Sequence, residues 1–467
     1  MFDAMNLNQK NVLVVGLGMT GLATARFLHH RGAVVTVTDM AAEKDLAASV
    51  LELHQLGIRT ELGGHRRESF ESSELIVLSP GVPHTHDFLT CARRKGIPVI
   101  GEIELASRFV REPIIAITGT NGKTTTTSLL GDMLAQCGMQ VFVGGNIGNP
   151  LIGYVDRDEK ADWVVLEISS FQLDTIDTFR PDIGILLNIT ADHLDRYPDM
   201  TGYAASKGRI FQNQTPEDIA IFNGADPWVL SETSRILSRK RVFNGSGARE
   251  EGARIEGDNL TLAFIPCPHP KSLCPGGAPE LGSVRLNLRQ SRLYGKHNQE
   301  NICAAAMAAI AAGGNVQDIQ IALNQFKGLS HRIEYVQTLN GVTYVDDSKA
   351  TNVDAAYRAL ESFQEPVVLI MGGRDKGGDY RILEKVIQVH VKHLILLGEA
   401  SELIAAALGN LVPTVRVSSM QEAVINAHRS AVSGDVVLLS PACSSFDMFR
   451  NYAYRGDAFQ SEVKKLR

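Results

Sequence analysis

Short apolar runs alternate with longer amphipathic stretches along the whole chain, and most of the apolar runs stop at a polar or Gly-rich turn. The run Asn11–Val15 meets Gly16-Leu17-Gly18-Met19-Thr20-Gly21, a helical stretch to about His30, and a second strand, 34–38, that ends on Asp39. Residues 74–79 and 98–100 read as further strands, so 1–101 predicts one small α/β domain. A second unit, 102–328, opens with the β-branched run 114–117, a Gly-rich turn and a helix over 126–137. Strand 141–143 leads into Gly144-Gly145-Asn146-Ile147-Gly148, and the buried-strand runs 163–166 and 182–187 stop at Glu167 and Asn188. A helical stretch containing Lys207 follows, then short alternating strands between 241 and 293, then an Ala-rich helix opened by Tyr294-Gly295-Lys296-His297-Asn298-Gln299-Glu300-Asn301. The loop Gly328-Leu329-Ser330-His331-Arg332 hands over to a third unit, 329–467, with strands at 342–345, 367–371, 394–397 and 436–439 between helices. The fold class is α/β in three domains.

Bulk properties remove several alternatives. A chain of 467 residues is too long for one core, and 44% hydrophobic with 21% charged residues is ordinary for a soluble protein. A net charge of -6 without a long basic run argues against nucleic acid as a partner, and Arg93-Arg94-Lys95 reads as a solvated helix face. No signal segment opens the chain and no apolar run is long enough for membrane insertion. Six scattered cysteines without a C-x-x-C pair suit a reducing compartment, so a cytoplasmic location is expected. The Pro/Gly-rich stretch 266–279 holds Cys267, His269 and Cys274, but a metal site would want a fourth ligand and tighter spacing; a flexible surface insertion is the reading.

Candidate chemistry concentrates after the 114–117 strand. Gly119-Thr120-Asn121-Gly122-Lys123-Thr124-Thr125 places loop N–H groups and a helix N-terminus around one anion, with Lys123 for terminal phosphates and the Thr124 hydroxyl for Mg²⁺. The usual phosphate-loop pattern has Gly where Ile117 stands, so this is a shorter variant, and a nucleoside triphosphate is the expected ligand. Glu167 at a strand end resembles the acid that holds Mg²⁺ in phosphate-loop enzymes, although a lone strand-end Glu is otherwise a surface carboxylate. His193, flanked by Asp192 and Asp195, leans towards the same site, whereas Lys207 read alone is an ordinary surface cation. The Gly16–Gly21 turn with Asp39 has the dinucleotide fingerprint, which is informative about architecture but weak about ligand.

Gly119-Thr-Asn-Gly-Lys-Thr, Asp192-His193-Leu-Asp-Arg-Tyr, His297-Asn298-Gln-Glu-Asn301 and Asp346-Asp347-Ser348-Lys349-Ala-Thr351-Asn352 together resemble the Mur ligases, in order along the whole chain. The Asp-Ser-Lys-Ala-Thr-Asn string and Ser440-Pro-Ala-Cys443-Ser-Ser445-Phe446-Asp447 resemble the branch that adds D-glutamate to UDP-N-acetylmuramoyl-L-alanine. The stretch around Cys267–Cys274, and Tyr452 where the family pattern leads one to expect Phe, depart from it. The resemblance implies a Rossmann-like UDP-binding domain, a phosphate-loop ATPase domain and a Rossmann-like third domain, in a monomer acting in peptidoglycan synthesis. It implies ATP as cofactor, with one Mg²⁺ held by Thr124 and Glu167 and a second served by His193 and a carbamylated Lys207. By the same resemblance Asn301, Arg332 and Asp347 contact the nucleotide and Lys349 a phosphate or acyl-phosphate oxygen. Met19, Thr20, Asp39 and Gly81 take the UDP part, Asn146 the muramoyl substrate, and Thr351, Lys376, Ser445 and Phe446 the carboxylates of D-glutamate. A dehydrogenase would account only for the first hundred residues and leave Gly119–Thr125 unexplained, while a non-catalytic nucleotide sensor is disfavoured by intact Lys123, Glu167, His193 and Lys207.

Overall fold

The structure is a computed structural model and describes residues 5–466 except 158, 195, 245–251, 265–281, 292 and 294. Cys267, His269, Cys274 and Asp195 therefore lie outside the described residues. Three sheets follow one another along the chain.

The first sheet is parallel and orders its strands Arg59–Leu62, Val34–Asp39, Asn11–Val15, Leu75–Leu78, Val99–Gly101. Its chain order reverses at Asn11–Val15, so the Gly16–Gly21 turn leaves the sheet at the switch point where open α/β sheets hold ligands. The second sheet runs Gly282–Asn287, Asn259–Phe264, Gly252–Glu256, Arg239–Phe243, Ile219–Asn223, Ile183–Leu186, Ile114–Thr118, Trp163–Glu167, Val141–Gly145. Among the described residues, only the pairings of Asn259–Phe264 with its two neighbours are antiparallel in this sheet. Its switch point is Ile114–Thr118, the strand that feeds the phosphate loop. Alternate residues of this strand enter different cores, Ile114 and Ala116 on one face, Ile115 and Ile117 on the other. Both faces are thus covered, and each fully buried Ile contributes roughly 1.5–3 kcal/mol. The Ala-rich helix Lys296–Ala311 packs on the phosphate-loop helix Lys123–Gln136, its small side chains permitting close approach.

The third sheet orders Glu334–Leu339, Val342–Asp346, Val436–Leu439, Val367–Met371, Val391–Leu397, Thr414–Val417. The loops after its three adjacent strands, 346–351, 440–446 and 372–376, therefore open at one edge. Between the first two sheets, buried Glu104 accepts from the N–H groups of Asp177 and Phe179, both at 2.9 Å, and from the Thr178 hydroxyl at 2.7 Å.

Four strands are additions to the sequence reading. Arg59–Leu62, Glu334–Leu339 and Thr414–Val417 are edge strands, where half-exposed polar positions blur the apolar pattern. Ile219–Asn223 is fully buried and apolar, and its run was legible. The phosphate-loop helix begins at Lys123, three residues earlier than the expected 126, because the turn ends at Gly122 with φ +88°.

Candidate active site

The phosphate loop is held in shape from below. Thr120 N–H donates to Asn188 O at 2.8 Å, Asn121 N–H to Asn188 Oδ1 at 2.8 Å, and Thr120 Oγ1 to Thr190 O at 3.1 Å. Gly122 is required twice over: its φ is positive, and a methyl group there would lie 2.1 Å from Asn301 Oδ1. Asn301, buried in the Ala-rich helix, accepts from Thr126 Oγ1 at 3.3 Å and donates to Asn298 at 3.2 Å. That pairing places the His297–Asn301 motif directly on the loop.

Two lysines crowd this loop. Lys123 Nζ donates to Gly119 O at 3.0 Å and Thr120 O at 2.9 Å, and Lys207 Nζ donates to the same Gly119 O at 2.8 Å. Burial holds both pKa values below the ordinary lysine range, Lys207 well below it, and the Lys123 cation adds to the fall of Lys207. The helix Met200–Gly208 presents Lys207 inward, buried with Nζ 4.7 Å from the Tyr203 ring centroid. Sheet register sets Glu167 beside Ile117. Its carboxylate accepts from Asn146 Nδ2 at 2.8 Å through Oε1, while Oε2 is buried with no hydrogen-bond partner among the described residues. Thr124 stands half-buried on the first turn of the loop's helix, with Thr125 fully buried behind it. His193 takes a left-handed backbone (φ +55°), stacks edge-on against Phe171, and lies 3.7 Å from the Asp192 carboxylate. Burial lowers its pKa, with Asp192 opposing and Lys376, Lys123 and Lys207 adding to the fall.

The third sheet closes over this cluster. Lys376 Nζ lies 3.7 Å from Asp192 Oδ1, Asn352 Nδ2 donates to Asp192 Oδ2 at 3.1 Å, and Asn121 Nδ2 donates to Asp354 at 2.7 Å. The phosphate loop is thereby tied to the start of the helix Val353–Leu360. Asn121, Gly122, Asn301, Arg332, Asp347 and Lys349 line a cleft of only about 50 Å³ between the two units. Asp347 accepts from Ser440 Oγ at 2.9 Å, and burial raises its pKa to about 7 against the pull of Ser440 and Arg332. Lys349 Nζ sits 3.8 Å from the Tyr452 ring centroid, so the Tyr that departs from the family pattern serves as its aromatic seat. Burial, then the Arg332 cation, lowers Lys349 to about 8.

One buried residue that ties the site's loops together escaped the sequence reading. Arg455, on the final helix Tyr452–Lys465, is 2% exposed. Its Nε donates to Ser348 Oγ at 3.0 Å, Nη2 to Ser348 O at 2.9 Å and Cys443 O at 3.0 Å, and Nη1 to Gly372 O and Ser444 O at 3.3 Å. All three loops at the sheet edge are bolted to one guanidinium. Ser445 beside them is buried, Phe446 is exposed, and Thr351 is half-buried on the loop that ends at Asn352.

A second cavity, about 740 Å³, lies at the first sheet's switch point. Met19, Thr20, Asp39, Gly81 and Asn146, from both units, all line it. Asp39 orders the Gly-rich turn by accepting from Leu17 N–H at 2.6 Å and Ala41 N–H at 2.8 Å. Gly21 is forced there, since a methyl group would meet Gly16 O at 1.8 Å. This cavity is of ligand size, whereas the cleft beside the phosphate loop must widen to admit a nucleotide.

Residues 10–101 match the profile "Mur ligase MurD-like, N-terminal domain", 117–309 "Mur ligase middle domain" and 331–443 "Mur ligase, glutamate ligase domain". A relative from Desulfosudis oleivorans named UDP-N-acetylmuramoylalanine--D-glutamate ligase is 52% identical over 458 residues, 98% of this chain and 97% of that one. The chain belongs to the Mur ligase family. A second relative of the same name, from Geotalea daltonii, is 46% identical over 99% of both chains. Among solved structures, a MurF ligase from Thermotoga maritima in complex with ADP superposes with a TM-score of 0.59 at 17% identity, covering 100% of this chain and 97% of that one. A pseudomurein peptide ligase type C from Methanothermus fervidus gives 0.60 at 19% identity, covering 98% of this chain and 100% of that one. At such identities these two likenesses speak for the fold: the Mur ligase architecture of three α/β sheets in sequence. Among the described residues no helix of this Mur ligase is long and apolar enough to cross a membrane.

Proposed function

We propose that this Mur ligase is an ATP-dependent enzyme that joins D-glutamate to UDP-N-acetylmuramoyl-L-alanine through an acyl phosphate, in peptidoglycan precursor synthesis. The observation that carries the reading is the convergence of the phosphate loop, Glu167, His193 and Lys207 with the third sheet's Asp347, Lys349 and Lys376. The names of full-length relatives at 46–52% identity supply the substrates. The division of labour follows the sheets: 1–101 holds the UDP end in the 740 Å³ cavity, 102–328 the nucleotide, and 329–467 the amino acid. A cytoplasmic monomer completes the reading.

Two negatively charged partners must meet when the substrate carboxylate attacks the γ-phosphate, so positive charge has to be supplied. The donor set suits Mg²⁺: the unpartnered buried Glu167 Oε2, the Thr124 hydroxyl and a His193 held neutral by burial. When bound, two Mg²⁺ ions would neutralise the triphosphate and the attacking carboxylate. Lys123 gives up the Gly119 and Thr120 carbonyls to reach a phosphate. Lys207 is already driven towards the neutral amine, the form that adds CO₂ and releases one N–H proton to solvent to become a carbamate anion with oxygen donors. As a carbamate it would relieve the competition of two lysines for one carbonyl. Asn301, Arg332 and Asp347 orient the nucleotide, and Lys349 takes a phosphoryl oxygen. Lys376, Thr351, Ser445 and Phe446 receive D-glutamate, whose carboxylate replaces Asp192 as partner of Lys376. ATP turnover with UDP-N-acetylmuramoyl-L-alanine against a panel of amino acids tests the assignment. D-glutamate is expected to be preferred, and equal turnover with D-alanine or L-glutamate would overturn it.

A further inference from the structure

The 740 Å³ cavity of the first domain poses a charge problem. On the proposed function, on which this inference rests, it receives a diphosphate. Yet among the described residues no Lys or Arg lines it; the titratable side chains on its wall are Asp39, His65 and His86. Asp39 supplies no cation and already accepts from two backbone N–H groups. Met19 and Thr20 on the lining open the first turn of the helix Met19–His30, which has no side-chain cap and so leaves N–H groups for an anion. Partial dipole charge alone must then balance two full negative charges, unless a side chain becomes cationic.

We propose that His65 and His86 form a proton-accepting pair that recognises the diphosphate of the nucleotide-sugar substrate. The two rings stand edge to face, centroids 5.7 Å apart. Each is oriented through Nδ1: His65 shares a hydrogen bond of 2.9 Å with Thr38 Oγ1, and His86 Nδ1 accepts from Phe88 N–H at 3.3 Å. In the neutral His86 ring the proton must then sit on Nε2, and among the described residues neither Nε2 is hydrogen-bonded. Phe70 and Phe88, from the helices Arg67–Ser72 and Asp87–Arg94, pack edge-on against His65 and His86 respectively and bring no charge. The groups that bias His65 are burial and His86, which lower its pKa, and Asp39, which raises it. Burial therefore disfavours the cationic form of His65 in the free cavity, and a bound diphosphate draws a proton onto the pair.

Affinity for UDP-N-acetylmuramoyl-L-alanine is then linked to proton uptake. Its diphosphate is esterified at both ends and does not titrate near neutrality, so a pH slope belongs to the protein. Titration calorimetry with the intact protein should show binding about tenfold tighter near pH 6 than near pH 8, with uptake of up to one proton read from buffers of different ionisation enthalpy. Uridine, without phosphates, should show neither. His65→Gln and His86→Gln keep an amide donor but cannot become cationic, and each should weaken binding at low pH and flatten the slope. Should a variant fail to fold, proton uptake by the wild type decides. A flat wild-type profile, or slopes unchanged in both variants, overturns the proposal while leaving the ligase reading intact. Failure of the UDP substrate to bind at any pH overturns both.

Discussion

Replacing Arg455 tests whether a single buried cation aligns the amino-acid side of the site. Its guanidinium makes five contacts, four to carbonyls of Ser348, Gly372, Cys443 and Ser444 and one to the Ser348 hydroxyl. If each is worth ~1–1.5 kcal/mol once its acceptor is left in a dry interior, removal costs ~5–7 kcal/mol. Against this stands the burial of the charge itself. Desolvation brings the Arg455 pKa down from the ordinary arginine range to about 10, which is ~3 kcal/mol at 1.36 kcal/mol per pH unit. Arg455→Met removes both terms and should destabilise by ~2–4 kcal/mol. Arg455→Lys keeps the charge in the interior but reaches at most three acceptors from one point, so it should be no milder than Met. Urea unfolding measures the stability, and steady-state kinetics should show KM for D-glutamate rising more than KM for the UDP substrate, because the loops 346–351, 372–376 and 440–446 lose their common anchor. A Lys variant within ~0.5 kcal/mol of wild type with an unchanged D-glutamate KM would refute the reasoning, since it would mean that one point charge does what the planar fork was assigned.

Three other outcomes follow from the geometry. Gly122→Ala must adopt φ near +88° and push Asn301 off Thr126 and Asn298, a strain of ~2–4 kcal/mol, and affinity for an ATP analogue should fall at least about tenfold in a fluorescence titration while UDP-substrate binding persists. Lys207→Ala should be nearly inactive, acetate should restore part of the turnover, and stripping CO₂ should slow the wild type; an absence of both rescue and CO₂ dependence would remove the carbamate. His331, whose pKa is raised chiefly by its 2.8 Å hydrogen bond to Asp346, contributes stability that is full below its unfolded value of ~6.5 and lost as pH rises through the higher folded value. The stability gap between wild type and His331→Gln in urea should accordingly be wider at pH 6 than at pH 8.5, and a gap independent of pH would contradict the pairing.

The chain's own pattern determined a great deal. Unbroken apolar runs that end in Gly-rich or acidic turns forced buried parallel strands, and the strand Ile114–Thr118 before Gly119–Thr125 fixed where a phosphate would sit. Motif strings held Lys123, His193, Asp347 and Lys349, and a strand end marked Glu167, because chemistry at strand ends leaves short local signatures, whereas Lys207 came from the family resemblance alone. Edge strands such as Arg59–Leu62 were hidden, since one side of an edge meets water and its residues are free to be polar. What only the tertiary structure decided were pairings across large separations in the chain. Asn121 with Asp354, and Lys376 with Asp192, leave no trace in local spacing. No pattern in the sequence singles out Arg455, and Lys207 read alone is an ordinary surface cation. Burial is what changed their chemistry: removed from water, the first spends every donor on loop carbonyls and the second leans towards a neutral amine. Removal from water is settled by which sheet edge packs over which helix, a property of the folded contacts that no short window of residues contains.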